Sequence, residues 1–185
     1  MKLWLMTWFY MFVPKNKQVI ALVFFGVIIS LFLFLTIYKS ADSSNRSVNF
    51  ILPDLHSSEM TSLDDGSGQL IYLDVWAIWC KPCLEILPKI QKLSVEYVDK
   101  PIQFIGINQD LNPEAAIEFL SANNIRFRQL HDPLGEVLVL LKLKGMPASI
   151  LLDQSGHIVY LKEGTSPDAM TELQGKIDQV LLQGH

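Results

Sequence analysis

Leu70–Trp76 (LIYLDVW) is apolar almost throughout, with a single acid, Asp74, inside it. A strand with one wet face alternates polar and apolar residues. A continuous apolar run belongs to a strand buried on both faces, at the centre of a covered sheet. Four positions after Trp76 the chain reads Cys80-Lys81-Pro82-Cys83, and Leu84, Leu87, Ile90, Leu93 and Tyr97 then recur at helical spacing. A central strand must therefore hand over, through one short loop, to a helix over Lys81–Val98. The start of that helix carries both cysteines of the chain. No other feature restricts the fold as much.

The flanking segments extend this unit. Val48–Leu52 reads as a short strand ended by Pro53, Leu55–Ser62 as a loop or hairpin arm, and Asp64–Gly68 as a turn. Ile102–Ile107 (IQFIGI) is a second buried strand. Asn112-Pro113 is a cap and first-turn pair that opens a helix to about Leu120. A short strand is expected over Ile125–Phe127 and a helix over Leu134–Leu143. Ala148–Leu152 and Ile158–Leu161 are strands around the turn Asp153–Gly156, and Pro167 starts a last amphipathic helix. This order implies parallel pairing first and antiparallel pairing last: an α/β fold with a central mixed sheet flanked by helices on both faces.

The amino-terminal part has a different composition. Val19–Tyr38 carries no charge, and a helix of about 20 such residues spans about 30 Å, the thickness of a bilayer core. Bulky Phe, Leu, Ile and Tyr persist to its end, unlike the short run and small residues of a cleaved signal. Residues 19–38 are therefore expected to be an uncleaved transmembrane anchor. Residues 1–18 would be a cytoplasmic segment, by the lean of Lys2, Lys15 and Lys17 under the positive-inside rule. Translation could begin at Met1 or Met11. Residues 39–47 read as a polar linker and residues 48–185 as the folded domain. The net charge of −4 argues against nucleic acid, whose binding usually needs a basic patch. His56, His131, His157 and His185 are scattered and form no metal-ligand spacing.

Two thiols at a helix start have a chemical consequence. Unpaired N–H groups and partial positive charge gather there, and such placement lowers a thiol pKa from about 8.5 to about 7 or below. Cys80 gains most and is the attacking candidate; Cys83, one turn in, is the resolving candidate. Lys81 adds positive charge, and Pro82 sets the backbone where its missing N–H costs nothing. Asp74 lies in the strand before them. A carboxyl buried there is held by desolvation near its proton-exchange range and could serve Cys83 as a general base; an exposed strand-edge aspartate is the alternative.

The pattern D-x-W-A-x-W-C-x-P-C, followed by Gly145-Met146-Pro147 before ASILLD, resembles the thioredoxin superfamily. The approach NFILPDL…SLDDGSG and the long segment Asn112–Lys144 are most similar to its TlpA-like branch, the membrane-anchored thiol–disulfide proteins of the DsbE-like and ResA-like kind. The resemblance spans about Val48–Leu182. It implies a thioredoxin fold and a redox-active Cys80–Cys83 disulfide in place of any cofactor or metal. Asp74 would be the buried acid. Trp79, Lys81 and Pro82 would form the substrate-facing rim, with Met146 and a cis Pro147, and Pro88 would kink the first helix. It also implies disulfide-containing protein substrates and a membrane thiol reductase as electron donor. The domain would face the periplasm or outside from the bacterial inner membrane, with a place in cytochrome c maturation. Several branch members carry a glutamate three residues after the second cysteine. Here that position is Ile86, and Glu85 lies one place earlier.

Three rivals use the same residues. A copper-binding and delivery module would take both thiols as soft ligands, with His131 as a third only if the fold brings it close. A peroxidase would need threonine and arginine around the attacking cysteine, which DVWAIWC lacks. A structural bridge across two intervening residues closes too small a loop to restrict the unfolded chain much.

Overall fold

The computed structural model describes residues 25–31, 47–63 and 67–183. The chain divides into two compact units, Met1–Asn45 and Arg46–His185. In the first, residues 25–31 are helical and exposed. The rest of the expected anchor, both candidate start residues, the segment before the anchor and nearly all of the linker lie outside the described residues. Among the described residues no helix is long and apolar enough to cross a membrane.

In the second unit the order is β1 (Ile51–Pro53), β2 (Met60–Ser62), β3 (Leu70–Trp76), α1 (Lys81–Glu96), β4 (Ile102–Asn108), α2 (Glu114–Ala122), β5 (Arg128–His131), α3 (Glu136–Leu140), β6 (Ala148–Leu152), β7 (Ile158–Glu163) and α4 (Ala169–Gln183). The five-stranded sheet runs β5-β4-β3-β6-β7, with β1 and β2 in a separate hairpin. β3–β4 and β4–β5 are parallel; β3–β6 and β6–β7 are antiparallel. The apolar run Leu70–Trp76 is the central strand and is buried at every position.

Alternation along β3 divides the core. Ile71, Leu73 and Val75 pack with Ile105, Ile107, Leu130, Ile150 and Val137 of α3. Leu70 and Tyr72 face the other way, onto Ile86, Ile90 and Leu93 of α1 and Leu173 and Ile177 of α4. Trp76 packs on that side with Cys83 and Leu87 of α1 and Ala116 and Leu120 of α2. Pro88 sits inside α1 on its exposed face, where it leaves one helical hydrogen bond unmade.

Several expected boundaries move. The first strand is Ile51–Pro53, not Val48–Leu52: Pro53 is its last residue and pairs with Met60, which proline tolerates at a sheet edge. The strand expected at Ile125–Phe127 starts only at Arg128, because Gln91 of α1 accepts the backbone N–H groups of Arg126 and Phe127 and keeps them out of the ladder. The helix expected over Leu134–Leu143 shrinks to Glu136–Leu140. Gly135 at φ 70° and Lys142 at φ 55° are left-handed and close it at both ends. The helix after Asn112 begins at Glu114, whose N–H donates to the Asn112 side chain (3.0 Å). Of the turn Asp64–Gly68, residues 64–66 lie outside the described set; Gly68 is left-handed at φ 63°.

Candidate active site

Cys80 caps α1, and its carbonyl accepts the N–H groups of Cys83 (2.9 Å) and Leu84 (3.2 Å). Cys80 and Cys83 are joined as a disulfide, with Cα atoms 5.2 Å apart. Cys83 is fully buried and Cys80 is 7% exposed. Beside them Trp79 is 68% exposed, and Lys81 and Pro82 are exposed on the first turn. Pro147 is buried at the start of β6 behind a cis bond to Met146. Met146 is half-buried and packs against both the Val137 side of the core and the cluster that holds the cysteines.

The loop that carries Cys80 is held from below. Asp110, buried after β4, accepts the N–H of Ile78 (2.9 Å) and the side-chain amide of Asn108 (2.7 Å). Trp76 donates its indole N–H to Gln129 Oε1 (2.9 Å), across the sheet. Gln129 reaches that far because it lies over Gly106, where a Cβ would stand 2.0 Å from Gln129 Oε1. The lone glycine of IQFIGIN is the feature of the sequence that could have marked this close approach. Asp110 and Gln129 themselves carried no signal that sequence reasoning used.

Asp74 is not a strand-edge residue; it is fully buried. Strand alternation turns it to the α1 face, between Tyr72 and Trp76. Its Oδ1 accepts the Tyr72 hydroxyl (3.2 Å), while its Oδ2 has no hydrogen-bond partner among the described residues. Desolvation pushes its pKa from 3.8 up to about 7, against the partly offsetting pull of the Tyr72 and Ser149 hydroxyls. The same burial, with the Asp74 charge beside it, raises the Tyr72 hydroxyl well above its usual value. Ile86, at the position where the resemblance led to the expectation of a glutamate, is buried, and Glu85 is exposed.

The copper reading finds no third ligand here. His131 Nε2 lies 2.6 Å from the Asp110 carbonyl, and among the described residues no group of three or more His, Cys, Asp or Glu side chains could hold a metal ion.

Comparison with known proteins points the same way. The Redoxin family matches residues 43–180. The chain is 25% identical over 126 residues to the thiol-disulfide oxidoreductase ResA of Bacillus thuringiensis subsp. konkukian, covering 68% of this chain and 72% of that one. It is 30% identical over 125 residues to the thioredoxin-like protein YneN of Bacillus subtilis, covering 66% and 71%. Among solved structures, a Chlorobium tepidum protein provisionally described as thiol:disulfide interchange protein DsbE superposes with a TM-score of 0.69 at 30% identity, over 75% of this chain and 97% of that one.

Proposed function

Because the chain belongs to the Redoxin family and is a thioredoxin-like thiol–disulfide oxidoreductase, we propose that Cys80 and Cys83 are its working pair and that it reduces disulfides of envelope proteins. The observation that supports this most is the Cys80–Cys83 disulfide at the mouth of α1, with the Asp74 carboxyl fully buried on the α1 face of the sheet.

In the reduced protein the Cys80 thiolate attacks a substrate disulfide. A Cys80–substrate bond forms, and the first substrate sulfur leaves as thiolate and takes a proton from water. Cys83 then gives its proton to Asp74, and its thiolate attacks Cys80 Sγ. The mixed disulfide breaks, the second substrate sulfur leaves, and the two electrons lost by the Cys80/Cys83 pair now sit on the substrate thiols. Burial suits Cys83 to this role, since its only target is Cys80. A polypeptide substrate fits the apolar rim: Trp79, with Leu111 (84% exposed) and Leu134 (79% exposed) following β4 and β5 at the same end of the sheet. Met146 and Pro147 would line the opposite side.

The finer reading places residues 19–38 in the bacterial inner membrane as a single span, with residues 48–185 held outside the cytoplasm by the 39–47 linker. A membrane thiol reductase would return the electrons, and cytochrome c maturation is the process served. The test is reduction of a defined disulfide peptide by full-length protein and by Cys80→Ser. Loss of exchange in the variant is expected; retained exchange would refute the proposal.

A further inference from the structure

The carboxyl of Asp74 is fully buried, so its proton needs a way out in every cycle. Its partners are hydroxyls. Tyr72, two residues back on the same face, donates to Asp74 Oδ1 (3.2 Å), and the Tyr72 hydroxyl is also 2.9 Å from Ser149 Oγ on β6. Ser149 pairs with Asp74 in the sheet register and is only half-buried. On the other side the paired residue is Gly106, so β4 offers no side chain there. We infer that Tyr72 and Ser149 are positioning residues that form a hydroxyl relay, fixing Asp74 through Oδ1 and carrying its proton toward β6.

The relay leaves Oδ2, which has no hydrogen-bond partner among the described residues, to receive the proton from Cys83. For discharge, the carboxyl turns about its Cβ–Cγ bond to bring the protonated oxygen to Tyr72, and the Tyr72 hydroxyl turns to Ser149 Oγ; the acid O–H bond then breaks at Asp74 and the proton passes to Tyr72 Oη. Tyr72 gives its own proton to Ser149 Oγ, and Ser149 gives its own to water. Each hydroxyl ends as it began, and Asp74 ends as carboxylate. The other titratable groups on this face are Cys83 and Tyr97 of α1, Tyr160 and Lys162 of β7, and Asp178 and Glu172 of α4; Tyr97 donates to Asp178, and Glu172 pairs with Lys162. Lys162 stands across Ser149 in the register and keeps its charge engaged with Glu172. Gln129, beyond Gly106, is uncharged.

This inference rests on the reading of Asp74 as the base for Cys83. The experiment therefore compares full-length wild type with Asp74→Asn, Tyr72→Phe, Ser149→Ala and Ser149→Thr. Two quantities are read: the carboxyl titration by infrared difference spectroscopy, and the rate of mixed-disulfide resolution over repeated turnovers against pH. Asp74→Asn should abolish both the titration and the pH limb near 7. Tyr72→Phe, having lost a hydrogen bond to the carboxylate, should shift both upward by about one unit. Ser149→Ala should slow resolution about tenfold or more, and Ser149→Thr, which keeps a hydroxyl, should restore it. A wild-type profile in Tyr72→Phe or Ser149→Ala, with Asp74→Asn still flattened, overturns the relay and leaves the base intact. An unchanged profile in Asp74→Asn overturns both.

Discussion

Burying Asp74 makes the stability of the oxidised domain depend on pH, with a sign opposite to that of a salt-bridged carboxylate. Its folded pKa is about 7 against 3.8 for the free side chain. Below about pH 4 both states hold the proton and no stability is lost. Between about 4 and about 7 the unfolded chain has released the proton and the folded one has not, so stability falls as pH rises. Each unit costs about 1.4 kcal/mol, and the shift from 3.8 to about 7 therefore removes about 4 kcal/mol by pH 8. Asp74→Asn abolishes this dependence at the cost of some local packing. Urea unfolding of oxidised Arg46–His185 at pH 4 and pH 8, for wild type and variant, cancels that packing cost. The variant should gain about 4 kcal/mol on wild type between the two pH values. A gain within about 1 kcal/mol of zero would mean that Asp74 ionises as a free aspartate does, and the account of its role would be wrong.

Three further outcomes are expected. Cys83→Ser should accumulate a substrate disulfide on Cys80, visible on non-reducing gels and by mass spectrometry, whereas Cys80→Ser should trap nothing. Gly106→Ala should destabilise the domain by about 1–3 kcal/mol in denaturant unfolding, because the new methyl displaces Gln129 and strips the Trp76 indole of its acceptor. Asp110→Ala should cost about 1–3 kcal/mol, since it leaves the half-buried N–H of Ile78 and the buried side-chain amide of Asn108 without their acceptor. It should also slow disulfide exchange, because the loop before Cys80 loses its tether.

The strand–cysteine–helix junction was legible because local signals agree there: an unbroken apolar run, a proline at the helix start and a helical stripe after it. Strand boundaries at the edges were less so. At Arg126 and Phe127 the sequence favours a strand, but a distant glutamine, Gln91, takes the backbone donors. Nothing local records that competition. The site divides in the same way. Asp74 stood out as a charge in an apolar strand, and Tyr72 follows from alternation once Asp74 is placed. Ser149 becomes a partner only through the antiparallel β3–β6 register. Asp110 joins the site only because parallel pairing brings the end of β4 under the loop after β3.

The central claim is that the Cys80/Cys83 pair is a reductant. Equilibrating the protein in graded redox buffers, then trapping free thiols, measures its reduction potential directly. A potential near the thioredoxin end, about −270 mV, is the result expected. A potential near −120 mV, the end occupied by strong oxidants, would make the protein a disulfide donor and contradict the proposal.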